Sequence, residues 1–269
     1  MAGGRAVLLR GGGLGDFLLA LPLLRALALR YREVVLATRT SYAELLASRG
    51  LTPRFLDVDG ADVASLFHAP SPRLRGLLDG ADVFSFLPDA DGELARRARG
   101  AGASRVRALA SRPTRPPHFA LHVFRDAGLE PPRGLLETSH LARAAPPAES
   151  LLWLHPGSGS EAKNAPLEEF RARALAWRGP VALSLGPADR ALAPAAAALA
   201  RERDADLVVE PSLVDLAARL AGAARYVGND SGVTHLAAAL GVPTEALFVA
   251  SDPEIWRPLG RDVRAVDLR

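Results

Sequence analysis

Residues 226–244 read Tyr-Val-Gly-Asn-Asp-Ser-Gly-Val-Thr-His-Leu-Ala-Ala-Ala-Leu-Gly-Val-Pro-Thr, and this stretch decides the fold. An apolar strand at 224–228 runs into a tight polar turn, Gly228 to Gly232, and a helix begins at once. The helix closes at Gly241 with Pro243 beyond it, and a second apolar strand follows at 244–248. The turn offers unpaired backbone N–H groups at a helix N-terminus, the carboxylate of Asp230, the hydroxyl of Ser231, the close backbone of Gly232 and, one turn in, the imidazole of His235. That set suits a diphosphate with sugar hydroxyls, because free N–H groups and the helix dipole favour anions. His235 also reads as a buried, satisfied histidine on an apolar helix face. No second histidine stands at ligand spacing, which argues against a zinc site.

Strand–turn–helix alternation extends outward from this stretch in both directions. Strands are predicted at 6–10, 34–38, 54–58, 82–87 and 105–109, with helices at 16–31, 42–49, 92–99 and 117–127. Periodicity is then lost over 129–149, where Pro131-Pro132 and Pro146-Pro147 mark a linker. The alternation restarts with strands at 151–155, 181–185, 207–210, 224–228 and 244–248 and helices at 166–177, 188–201, 213–221 and 232–240. βαβ alternation implies parallel sheets covered on both faces. The pattern predicts an α/β chain of two doubly wound, Rossmann-like domains, 1–148 and 149–269, facing one another across a ligand cleft at their C-terminal strand ends.

Composition narrows the function classes. With 49% hydrophobic and 23% charged residues the chain reads as a globular protein. It has no cysteine, which excludes disulfides, thiolate metal sites and a cysteine nucleophile. The longest apolar stretch, 17–24, is too short to span a membrane, and no small-residue cleavage site follows it, so a cytoplasmic enzyme is expected. Charge is uneven: residues 1–148 carry 20 arginines against 14 acids, and the remainder carries 13 bases against 16 acids. Arg96, Arg97, Arg99, Arg105, Arg107, Arg112 and Arg115 concentrate the positive charge. They read either as a solvated face or as a surface for an anionic acceptor or membrane headgroups. Aromatic residues are not interleaved among them, so nucleic acid is not expected as a partner.

Two further segments carry candidate chemistry. Arg10-Gly11-Gly12-Gly13-Leu14-Gly15-Asp16 follows the first strand and opens the first helix. Asp16 occupies the third-glycine position of a dinucleotide fingerprint and no lysine follows, so neither that motif nor a P-loop fits. The glycines, Gly15 among them, let backbone approach a ligand. Asp16 reads as a helix cap or as a general base. In the second half, His155-Pro156-Gly157-Ser158-Gly159-Ser160-Glu161-Ala162-Lys163 supplies donors from Ser158 and Gly159 and ends on the sole lysine of the chain. Lys163 is suited to neutralise a phosphate. Glu210, at a strand end, is placed to accept from ribose hydroxyls. The residue two before Ser231 is Asn229, not Ser231's required glycine, so no nucleophile elbow is present and acyl transfer is not expected.

Together these segments resemble glycosyltransferase family 9, which includes the ADP-heptose:lipopolysaccharide heptosyltransferases. The resemblance rests on RGGGLGDFLLALP at 10–22, HPGSGSEAKNAP at 155–166, SLGPAD at 184–189 and GNDSGVTHLAAALGVPT at 228–244. It implies a GT-B architecture and an inverting transfer of heptose from ADP-heptose to a lipopolysaccharide-core-like or other glycan acceptor, with no metal or other cofactor. By that resemblance the N-terminal domain takes the acceptor, Asp16 is the base, Lys163 contacts phosphate, and Asp230, Ser231, Gly232 and His235 form the donor-binding turn, with Glu210 on the ribose. The acceptor would be an anionic glycan or glycolipid, met at the inner face of the membrane. Two departures stand out: Ala165 occupies a position where family members usually carry tryptophan, and the chain is shorter than typical members in its interdomain and C-terminal regions. Two other readings share the scaffold, a nucleotide-sugar epimerase or hydrolase and a non-catalytic nucleotide- or glycan-binding relative.

Overall fold

Parallel strands buried on both faces need nearly continuous apolar runs, and the chain supplies two sets of them. The computed structural model describes residues 4–141 and 150–269. The chain divides into two compact units, Met1–Arg133 and Gly134–Arg269. The domain boundary expected at 148/149, with Pro146-Pro147, lies outside the described residues. Residues 134–141, read from the sequence as linker, belong to the second unit: the Leu141 N–H donates to Ala239 O at 2.8 Å and the Gly260 N–H to Leu136 O at 3.0 Å.

In the first unit β1 (Arg5–Leu9), β2 (Glu33–Thr38), β3 (Arg54–Asp57), β4 (Asp82–Ser85) and β5 (Arg105–Ala108) pair in the order β3-β2-β1-β4-β5, all parallel. Val7 lies between Val35 and Val83 in register, and Val7, Leu9, Val35, Leu56, Leu66, Leu77, Leu78 and Val83 build the core on one side of the sheet. The helix Leu14–Arg30 buries every residue from Phe17 to Leu24.

In the second unit β6 (Leu152–His155), β7 (Val181–Leu185), β8 (Asp206–Val209), β9 (Arg225–Asn229), β10 (Thr244–Phe248) and β11 (Val263–Asp267) pair in the order β11-β10-β9-β6-β7-β8, again all parallel. Phe170 and Leu247 are fully buried in its core with Leu154, Leu183 and Val227. Strand order reverses between β1 and β4 in the first sheet and between β6 and β9 in the second. At such a switch point adjacent connections leave in opposite directions and open a crevice beyond the strand ends, where ligands of doubly wound folds bind.

The predicted strands are present, each displaced by at most two residues at an end. The helix expected over 188–201 is divided: a 3₁₀ segment, Pro187–Leu192, precedes the α-helix Ala193–Arg203. Pro194 sits in the first turn of that α-helix, and lacking an N–H it can begin a helix but not continue one. The short helices Ala61–Ala64 and Pro72–Leu78 and the edge strand β11 were not read from the sequence. Among the described residues no helix is long and apolar enough to cross a membrane.

Candidate active site

Both switch points carry the segments singled out from the sequence. After β1, the loop from Arg10 leads into the helix Leu14–Arg30, whose N-cap is Gly13. Gly12 holds φ +91°, a conformation that disfavours any side chain, and the loop so formed brings Asp16 back on itself. Asp16 Oδ2 accepts from the Gly13 N–H at 3.2 Å, so the carboxylate caps its own helix. Its Oδ1 stands 3.7 Å from Nη2 of Arg10, whose side chain is 3% exposed while that of Asp16 is 30% exposed. Burial pulls the Arg10 guanidinium down to about 10, with Asp16 and Tyr42 opposing, and it remains a cation at neutral pH. Gly15 lies in the first helical turn beside Asp16.

In the second unit the loops after β6, β9 and β10 converge on one carboxylate. Asp230 is 6% exposed. Lys163 Nζ donates to its Oδ2 at 2.7 Å, Ser251 Oγ donates to the same oxygen, and His235 Nε2 lies 3.6 Å from Oδ1. Burial opposes ionisation of Asp230, but His235, Lys163 and Ser251 outweigh it and hold the carboxyl well below the ordinary carboxylate range. An unpaired carboxylate at this depth would cost several kcal/mol, about the scale that several charge-assisted donors can offset. Nδ1 of His235 is buried and has no hydrogen-bond partner among the described residues.

Ser231 caps the helix Gly232–Ala239, its Oγ accepting from the Thr234 N–H at 3.3 Å. The N–H groups of Gly232 and Val233, ahead of the capped Thr234, have no acceptors within the helix. Asn229 ties the two loops together: the Ala165 N–H donates to its Oδ1 at 2.9 Å, and its Nδ2 donates to Pro156 O at 2.7 Å. Ala165 itself is buried in the core.

Ser158 and Gly159 line a cavity of about 360 Å³ together with Ser160, Glu161, Asn164, Asp189 and Leu192. Asp189 is buried, accepts from the Gly186 N–H at 2.7 Å and lies 3.6 Å from His155 Nε2. Burial pushes His155 down, with Asp189 and the Ser184 carbonyl opposing. Only glycine fits at 157, because a Cβ there would run into the Asp189 carboxylate.

The structure therefore brings Lys163, Asp230, Ser231, Gly232 and His235 together, with Ser158 and Gly159 on the adjoining cavity. Glu210 stands apart: it is exposed, holds φ +46° and pairs with Arg190 at 2.9 Å. Asn229, Ser251 and Asp189 were given no role from the sequence. Ser251 follows a strand that neighbours β9, so only sheet order could have revealed it. Of the basic segment, Arg97 pairs with Glu93, Arg96 Nη1 donates to Asp91 O at 2.8 Å, and Arg105 lies 3.9 Å from Asp82. Arg112 and Arg115 are exposed. Among the described residues no three histidine or acidic side chains gather as a metal-holding group.

No curated protein matches the chain. The structure is similar to the glycosyl transferase family 9 protein from Veillonella parvula, with a TM-score of 0.73 and 16% identity over 99% of this chain and 87% of that one. It is similar to E. coli heptosyltransferase WaaC, solved with ADP, at a TM-score of 0.71 and 18% identity over 98% and 93% of the two chains. E. coli ADP-heptose lps heptosyltransferase II matches at a TM-score of 0.68 and 21% identity over 98% and 90%. The α/β fold with its parallel sheets is thus that of the GT-B heptosyltransferases. The sequence profile of glycosyltransferase family 9 (heptosyltransferase) matches residues 128–268, more than half of the chain and the whole of the Lys163–Asp230 constellation. On that match the chain belongs to glycosyltransferase family 9.

Proposed function

We propose that the protein transfers heptose from ADP-heptose to a hydroxyl of a lipopolysaccharide-core-like glycan, with inversion and without a metal ion. The observation that carries this reading is the meeting of Lys163 with the Asp230 turn at the switch point of the second sheet, 2.7 Å apart. As the glycosidic bond to the diphosphate breaks, negative charge builds on the leaving oxygens. Lys163 and the N–H groups heading the helix Gly232–Ala239 stabilise it, a role a divalent ion would otherwise fill. The buried Asp230 would not meet the diphosphate itself; it holds Lys163 and His235 in place. Ser158 and Gly159, with the cavity they line, take the rest of the donor, and Glu210 takes the ribose once released from Arg190. The solved complex of E. coli WaaC with ADP supports an adenine nucleotide.

Asp16 is the base. It takes the proton of the acceptor hydroxyl as that oxygen bonds to the anomeric carbon from the face opposite the departing ADP. The bond to the β-phosphate oxygen breaks in the same step, so the configuration inverts and ADP leaves as the anion. The acceptor is an anionic glycan or glycolipid, and the exposed Arg112 and Arg115 give the first unit a surface for it or for headgroups at the inner membrane face.

Two measurements test the proposal. Thermal shifts with ADP, UDP and GDP should rank ADP first, and turnover of ADP-heptose should require an acceptor. Asp16→Ala should lower kcat by about 10²–10⁴, the usual cost of losing an acid/base group. Nucleotide binding with no turnover on any glycan acceptor would make the protein a binding relative, and donor consumption without acceptor would make it a hydrolase or epimerase.

A further inference from the structure

The first unit holds a buried cation that the proposed mechanism does not use. Arg10 follows β1, its backbone N–H continues the sheet by donating to Ala37 O at 2.8 Å, and its side chain is 3% exposed. The guanidinium carbon stands over two aromatic rings, 4.2 Å from the centroid of Phe86 and 5.6 Å from that of Phe119. Those two rings stack on each other at 6.2 Å. Nε donates to the backbone carbonyl of Asp16 at 3.1 Å, and Nη2 has no hydrogen-bond acceptor among the described residues. What Nη2 faces is Asp16 Oδ1 at 3.7 Å.

A guanidinium buried beside two rings is a costly choice where an aliphatic side chain would pack. The ring contacts and one hydrogen bond recover part of that cost, and the remaining edge is directed at a single carboxylate. The Asp16 carboxylate is in turn gripped from two sides, Oδ2 by the Gly13 N–H and Oδ1 by the Arg10 field. We propose that Arg10 is a positioning residue for Asp16, fixing the backbone and the carboxylate of that residue so that one oxygen keeps a set direction. The proposal rests on the reading of Asp16 as the base. Its geometry needs arginine: a planar cation can lie on Phe86 and still present an edge to Oδ1 and a second N–H to the main chain, whereas a lysine offers one point charge.

A double-mutant cycle tests this, using the full chain, ADP-heptose and a phosphorylated lipopolysaccharide-core acceptor. Arg10→Met should lower kcat by about 10²-fold or less, the scale of a misplaced reacting group, with the KM for donor within about twofold of the parent. In the Asp16→Ala background the same substitution should cost nothing further, because groups that act as a unit are not additive. Arg10→Lys should fall between parent and Arg10→Met, and it carries the cycle if Arg10→Met melts below the assay temperature. An equal fold-loss in both backgrounds would assign Arg10 to packing alone and overturn the proposal, as would a rise in donor KM that accounts for the whole effect. If Asp16→Ala itself leaves turnover unchanged, it is the base assignment that fails.

Discussion

The two switch points solve one problem by different means. In the first unit the chemistry sits on one contiguous loop: Asp16 is held by Gly13 three residues before it and by Arg10 six residues before it. In the second unit the side chains around Asp230 come from residues 163, 235 and 251, on loops after three different strands. The first arrangement is local, half exposed and carries one acid. The second is tertiary and buried, with Lys163 and Ser251 donating to one carboxylate oxygen and His235 beside the other. On the proposed reading, a base that meets an incoming alcohol needs access, while a group that organises cations around a leaving diphosphate needs rigidity. The contrast in burial follows from those two tasks.

Substitutions can break or sharpen this contrast. After Asp16→Ala, the largest effect is expected at Lys163. Lys163→Met should cost about 10²–10³ in kcat, as for loss of one group that stabilises developing negative charge, and should lower the melting temperature without unfolding the chain, because Ser251 and His235 remain beside Asp230. Steady-state kinetics beside a thermal melt checks both halves; a variant that melts early at parental turnover would make the lysine structural.

Gly157→Ala comes next and acts on stability. The new methyl must displace the buried Asp189 carboxylate, so a loss of about 1–3 kcal/mol is expected in denaturant titrations.

The smallest effect is a pH dependence. Asp230 is held below its free value in the folded state, against about 3.9 for an unfolded aspartate. It is therefore ionised in both states near neutrality. The stability it contributes is fully present above the unfolded value and is lost as acidification protonates it in the fold. Melting temperatures of the parent and Asp230→Asn should be furthest apart near pH 7, and the gap should begin to narrow only below about pH 4, closing as acidification protonates the folded carboxylate. A gap of constant width down to acid pH would show that the carboxylate charge is not what the three donors serve.

Much of this was legible in the residues. Alternating apolar runs and glycine-closed helices exposed the parallel strands, because strands buried on both faces must be apolar and short. The Asp230 turn was legible as well, since a capping serine, a carboxylate and a closing glycine at Gly241 are local signals. Residues 61–78 were not: helices as short as Ala61–Ala64 hold too few turns for a period to show. β11 escaped because Arg264 and Asp267 interrupt a five-residue edge strand. The partners Ser251 and Asp189 were hidden for a different reason. Each is a common residue in an ordinary turn, and only the order of β10, β9, β6 and β7 in the sheet brings it to the site. Glu210 shows the converse, a strand-end acid that looked available and is engaged by Arg190.

Asn229 has one more consequence. A single amide, fully buried, both gives and takes a hydrogen bond with the segment 156–165, which otherwise contains no regular structure beyond the 3₁₀ turn Glu161–Lys163. That clasp freezes the segment as the chain folds. On the proposed reading, a nucleotide arriving there meets a preorganised surface, and its affinity is not diminished by having to order a floppy loop.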